Sequence, residues 1–215
     1  MRGKSPKLTH SLLSELFEST PRRSQQKQVE IVEGAIRALI RHGFDKTTHG
    51  KVADESGVSR SLVIHYFPTI DALFTFTVKY IRAIFQEDAI KEIKTSQSSR
   101  EMLEKYTKAT FTWTRKREAH AKVWLHFYFL CSINKKYKTL HTQMVTMGHK
   151  RIMEILAGGN KAGEFKCDQL SQTAKMIQVI ITGALVTLGT EEVPFPLSEL
   201  ESATVNECLR IAGAS

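Results

Sequence analysis

Cysteine is scarce in this 215-residue chain: Cys131, Cys167 and Cys208 stand far apart, with no CxxC pair. An odd count at such spacing argues against a disulfide framework or a zinc site and fits buried, reduced thiols. Long apolar runs are also missing. The nearest approach, residues 176–188, is interrupted by Gln178, Thr182 and Thr187 and falls short of the roughly 18–20 residues a bilayer span needs. The opening stretch MRGKSPKLTHSLLSELFEST alternates its apolar residues with Thr, His, Ser and Glu, unlike the apolar core of a signal peptide. A cytoplasmic protein with no membrane partner is expected.

Catalytic and metal-binding patterns are missing too. There is no HExxH and no G-x-S-x-G, and His141 and His149 have no cysteine or carboxylate between them. In GGNKAGE, Gly158 and Gly163 have the separation of a phosphate loop, but Glu164 stands where the lysine belongs and no strand precedes it. No catalytic residue, metal or cofactor is expected, although an all-α enzyme with dispersed catalytic groups stays open as an alternative. Strand-like alternation, internal repeats and low-complexity tracts do not stand out.

What the chain does have is 41% apolar residues, enough for a real core, and a net charge of +9. That charge makes an acidic polymer a plausible partner. The excess is spread evenly, at +5 over residues 1–82 and +4 over the rest, so charge alone locates no binding domain.

Apolar periodicity predicts helix after helix. Ile31, Ala35, Ile36, Leu39 and Ile40 recur at helical spacing before Gly43. Thr47 and Thr48 offer caps for a short helix through Val52 and Ala53, and Ser59 caps the next one, which Pro68 stops. Thr69 and Asp71 open a longer helix toward Ile93. After the polar KTSQSSR, further helices are expected near 100–119, 120–134, 137–157, 167–189 and 198–212, with AGGNKAGEF as a connector. Leu8, Leu12, Leu13, Leu16 and Phe17 form one helical stripe ahead of a basic linker, PRRSQQK.

Two short helices joined by a glycine-containing turn suggest a helix-turn-helix, whose second helix can enter a DNA major groove. Gly57 supplies the turn, and Ala53 allows a close helix crossing. Val58 and Val63 would anchor the second helix, leaving Arg60, Ser61 and Ile64 exposed. Arginine can read guanine, serine can donate or accept, and an aliphatic side chain can meet a thymine methyl. A helical hairpin inside a larger bundle is the alternative.

The stretch IVEGAIRALIRHGFDKTTHGKVADESGVSRSLVIHYFPTIDALF resembles the N-terminal domain of the tetracycline-repressor (TetR) family of transcriptional regulators. The matching features are Gly43-Phe44, Thr47-Thr48, Val52-Ala53, Gly57-Val58-Ser59, and Tyr66-Phe67-Pro68 followed by Leu73. The resemblance implies an all-α fold: a 1–25 extension, a three-helix DNA-binding domain at 26–72, and a helical effector-binding and dimerisation domain at 73–215. Two positions depart from it, since Ile64 replaces a frequent phosphate-contacting tyrosine and Ile70 a frequent lysine. Arg22, Arg23 and Lys27, with Lys46, Lys51 and His65, are expected to restore phosphate contacts, while Thr47, Thr48, Ser59 and Tyr66 complete the expected DNA-facing set.

Helix 167–189, apolar nearly all round, is expected to pair with a second copy through Ile180, Gly183, Ala184 and Thr187. The implied homodimer would meet palindromic operator DNA. Trp113, Trp124, His126, Tyr128 and Met144 are the candidate lining of a pocket for a small, mainly apolar effector. The function expected is repression relieved by such an effector. The alternative is a DNA-binding regulator without a small ligand, whose C-terminal domain docks a protein partner, aided by the Leu8–Phe17 stripe.

Overall fold

The capping residues read from the sequence, Thr48, Gly57 and Ser59, set the boundaries of the two short helices. The structure, a computed structural model, describes residues 12–18, 21–190 and 195–214. Leu8, part of the anticipated amphipathic stripe, lies outside them. The described elements are all helices: α1 (Leu12–Leu16), α2 (Arg22–His42), α3 (His49–Ser56), α4 (Arg60–Tyr66), α5 (Ile70–Ile93), α6 (Ser99–Lys116), α7 (Glu118–Ile133), α8 (Lys135–Ala162), α9 (Leu170–Leu188) and α10 (Leu197–Ile211). No single helix among the described residues is long and apolar enough to cross a membrane.

Packing divides the chain into two compact units. The helix-turn-helix unit takes the described residues of 11–87 together with 119–130. The bundle unit takes 88–118 and the described residues from 131 onward. The division therefore falls inside α5 and again inside α7, whereas the sequence pattern changes near residue 72.

In the helix-turn-helix unit, Ile31, Val32 and Ile36 of α2 pack into a core with Val52, Val63, Phe74 and Ile81. Helices α2 and α3 come close at Gly34, where a Cβ would stand 2.5 Å from the Ser56 Cβ. Gly34, with Ala53 buried nearby in α3, thus sets the crossing. Arg37 and Arg41 fasten the end of α3. The Arg37 guanidinium donates to the Glu55 carbonyl at 2.5 Å, and Arg41 pairs with the Glu55 carboxylate at 2.6 Å.

PRRSQQK is not a linker: Arg22 begins the first turn of α2, behind Pro21. Proline at a helix start sacrifices no intrahelical hydrogen bond, so the basic run continues into the apolar periodicity without a break. Phe17 follows α1 and is buried, its ring 5.8 Å edge-on from Phe76 of α5. Phe76 lies 5.3 Å from Phe67, at the end of α4. The Leu12 N–H donates to the buried Gln86 side chain at 3.3 Å, adding a polar tie to α5.

The bundle unit packs α6, α8, α9 and α10 around Leu103, Ile152, Leu156, Ile177 and Cys208. The connector expected at AGGNKAGEF is shorter than anticipated, because α8 continues through Gly158 and Gly159 to Ala162. Gly159 is kept side-chain-free by contact: the Phe165 ring occupies the place of its Cβ. The turn comes at Gly163, with φ of 74°. Asn160 then locks the returning strand of loop by donating to the Cys167 carbonyl at 2.7 Å and accepting from its N–H at 3.0 Å.

Candidate nucleic-acid interface

The geometry of the second short helix follows from three local devices. Thr48 caps α3, its hydroxyl accepting from the Lys51 N–H at 3.4 Å. Gly57 turns the chain in the left-handed region, with φ of 67° and ψ of 28°. Ser59 caps α4, accepting from the Leu62 N–H at 3.2 Å. Each cap satisfies an amide that the helix end would otherwise leave without a partner.

With this register α4 has one buried and one open face. Val63 is buried, as is Phe67 just past the helix. Arg60, Ser61 and His65 are exposed, and Ile64 is 40% exposed. An aliphatic side chain held in water on a short helix gains nothing from the fold, whereas it suits an apolar base-edge contact. His49 was not among the residues singled out from sequence, yet it braces this helix: its Nε2–H donates to the Phe67 carbonyl at 2.8 Å. That bond spans two elements, so spacing within either one gave no sign of it.

The remaining anticipated contacts divide into exposed and inward-facing groups. Arg22 and Arg23 are exposed at the start of α2, and Lys46 and Thr48 are exposed beside α3. Lys51, half-buried, donates to the Lys46 carbonyl at 2.8 Å, and Lys27 pairs with Glu30 at 2.6 Å. Tyr66 is half-buried, its ring 5.2 Å from that of His65. Thr47 is turned inward: it is 6% exposed and donates to the Gly43 carbonyl at 2.7 Å, so its hydroxyl shapes the turn instead of facing a phosphate. All of these residues belong to the helix-turn-helix unit.

The model for bacterial regulatory proteins of the tetR family matches residues 31–75, and the C-terminal model for BetI-type transcriptional repressors matches residues 99–211. The chain belongs to the tetR family. Against the transcriptional regulator BetI of Agrobacterium fabrum it is 28% identical over 170 residues, 78% of this chain and 79% of that one. Against BetI of Brucella melitensis it is 28% identical over 99 residues, 46% of this chain, and so spans about half (50%) of that relative's length. The fold is shared with a TetR transcription regulator from Haloarcula marismortui, with a TM-score of 0.75 and 17% identity over 87% of this chain and 96% of that one. A Saccharomonospora viridis protein solved in complex with choline has a TM-score of 0.74 and 18% identity, covering 86% and 96% of the two chains.

The five residues considered for an effector fall into two groups. Trp124, His126 and Tyr128 belong to the helix-turn-helix unit, Trp113 and Met144 to the bundle unit. Trp113 and Met144 are buried. Trp124 packs against its neighbours on α7, tilted at 5.3 Å from Phe127 and edge-on at 6.0 Å from Tyr128. His126 lies 5.1 Å from Phe44, and burial pushes its pKa below the ordinary histidine value, partly offset by the charge of Asp45. Among the described residues no three His, Cys, Asp or Glu side chains gather as a metal group.

On α9 the open side is an apolar stripe: Met176, Val179 at 63% exposure, and Val186, with the exposed Gly183 between them. Ile180 and Thr187 flank this stripe, half-buried, while Ala184 is buried. A Cβ at Gly183 would meet nothing within 4 Å.

Proposed function

We propose that the chain is a DNA-binding transcriptional regulator, a repressor released from a palindromic operator by a small apolar effector. The observation that carries the reading is the split of α4, with Val63 fully buried while Arg60, Ser61, Ile64 and His65 face solvent. The division of labour proposed is DNA recognition by residues 26–72, with effector binding and dimerisation by 73–215.

The α9 stripe supports self-association. A row of Met176, Val179 and Val186 around an open glycine is an apolar surface into which a second copy of the same helix can fit. A two-fold pairing would present two α4 helices to half-sites about 34–36 Å apart, or a multiple of that. Release then requires an effector that favours a spacing incompatible with the operator, because equal affinity for both states would shift nothing. Helix α5 is the natural lever: it starts directly after the recognition helix and continues past residue 87.

A regulator in which the N-terminal stripe serves a protein partner draws less support. Phe17 is buried against Phe76, and Leu12 is tied to Gln86. Selection of bound sequences from a random duplex pool tests the proposal. The expected result is a palindrome with half-sites about one helical turn apart or further. Binding equal to that of unselected duplex at moderate salt would overturn it.

A further inference from the structure

The imidazole of His49 is committed at one nitrogen and open at the other. His49 is the first residue of α3, directly after the exposed cap Thr48. Its Nε2–H donates to the Phe67 carbonyl at 2.8 Å, across 18 positions of sequence. Phe67 has left the helical region, with φ of −137° and ψ of 87°, and its carbonyl is one that the end of α4 leaves without a partner inside the helix. That bond fixes the place of the ring and also its tautomer.

With the proton held on Nε2, the neutral ring carries a lone pair on Nδ1. Nδ1 is not sealed from solvent, and among the described residues it has no partner. The groups around it are mainly positive. The turn before α3 brings Asp45 and Lys46, and Lys51 follows two residues on. Of the helices packed against α3, α2 brings Arg41 and His42 at its end, and α4 brings Arg60, His65 and Tyr66. The acids of α3, Asp54 and Glu55, lie in its last turn, away from His49, and Glu55 is taken by Arg37 and Arg41.

In a helix-turn-helix the first helix crosses the DNA backbone while the second enters the groove. A ring at the start of α3 and tied to the end of α4 belongs to both. We propose that His49 contacts a DNA phosphate through Nδ1 and takes up a proton to do so. The neutral ring would set its lone pair against a phosphate oxygen, because its one N–H is committed to Phe67. A proton drawn from solvent onto Nδ1 makes that nitrogen a charge-assisted donor and leaves the bond at Nε2 intact. The phosphate and the end of the recognition helix are then held by one ring. Binding that takes up a proton is strongest on the acid side of the histidine range and weakens as pH rises through it. The inference rests on the DNA-binding reading above and adds to it a contact that depends on pH.

The test measures affinity of the full-length chain for a duplex recovered by selection, at about pH 6 and pH 8 and over a range of salt. His49→Gln keeps an N–H donor for the Phe67 carbonyl but cannot take up a proton, and its urea midpoint checks that it folds. At pH 6 it should bind about fivefold or more weakly than the native chain, with a log–log salt slope flatter by about 0.9 for each chain bound. At pH 8 both differences should shrink to less than half. Because His42 and His65 titrate in the same range, the reading is this difference between native and variant and not the native profile alone. Calorimetry of the native chain near pH 7, in buffers of different ionisation heat, should show proton uptake on binding. A loss in His49→Gln that is the same at both pH values would reduce His49 to a structural brace and overturn the proposal, as would native binding without proton uptake. A chain that selects a palindrome yet behaves in either of those ways overturns this inference alone, whereas a chain without sequence preference overturns the DNA-binding reading with it.

Discussion

Tyr80 of α5 and His120 of α7 converge on the same carboxylate oxygen of Glu33 on α2. The Tyr80 hydroxyl donates at 3.0 Å, and His120 Nε2 lies 3.3 Å away. Three helices distant in sequence are thereby joined at one atom, in a site where His120 is almost wholly buried. Tyr80→Phe should cost about 1.5–3 kcal/mol, the range for a hydrogen bond to a charged group. In a double-mutant cycle with Glu33→Gln, measured by urea unfolding, the two changes should couple by about 0.5 kcal/mol or more. Strict additivity would show that the shared oxygen contributes nothing.

The ring sequence Phe17, Phe76, Phe67 leads from the N-terminal segment to the end of the recognition helix. Phe17→Ala should therefore destabilise by about 3 kcal/mol, whereas Phe17→Leu should cost less than about 1.5 kcal/mol. Thermal and urea unfolding of the two variants check this. An unchanged midpoint for Phe17→Ala would mean that the buried ring is dispensable.

Two glycines should respond oppositely to relief of crowding. Gly57 has φ of 67° with nothing near its missing Cβ, so Gly57→Ala should cost about 1–2 kcal/mol from backbone conformation alone. Gly34 lies inside a helix, where alanine is intrinsically better by about 1 kcal/mol. Gly34→Ala should nonetheless destabilise, because the new methyl meets Ser56. Adding Ser56→Gly should recover part of that loss, which equilibrium unfolding of the single and double variants would reveal.

Phosphate contacts and base contacts separate by salt. With the selected operator in hand, Arg22→Ala/Arg23→Ala should flatten the slope of log affinity against log salt by roughly 1.8, about 0.9 for each phosphate released. Ile64→Ala should leave that slope alone and relax preference at one base position, as expected for an aliphatic contact to thymine. A slope unchanged by loss of both arginines removes the α2 terminus from the interface.

Burial holds the pKa of His126 and of His141 below the ordinary value of 6.5. Between the folded and unfolded values the unfolded chain binds more protons, so stability rises with pH in that window. The contribution is complete above about pH 6.5 and is lost as pH falls through the folded values. The unfolding temperature should drop on acidification below pH 6.5, and His126→Gln should remove part of the drop. A profile identical to that of the native chain would exclude His126 from the effect.

The helix-turn-helix was legible because its devices are local. Thr48, Gly57, Ser59 and Pro68 act within four residues of their own positions, and the alternation of Val63 with Ile64 follows from one short helix. Features made by contact across elements were not legible. Gly158 and Gly159 look like a connector until the Phe165 ring explains why one of them must lack a side chain. Thr47 and Thr48 are adjacent and chemically alike, but only the fold of the turn sends Thr47 inward to the Gly43 carbonyl. The Glu33 node joins residues separated by 47 and 87 positions, beyond any periodicity.

The stretch that matches the family's N-terminal model, residues 31–75, is shorter than the body that contains it. Phe17 supports the recognition helix from one side of that segment in the chain, and His120 reaches Glu33 from the other. What has been inherited as a module is therefore not what stands as a piece. A protein engineer grafting this DNA-reading head onto another regulator would have to carry the N-terminal segment and residues 119–130 along with it, or rebuild the surfaces they cover.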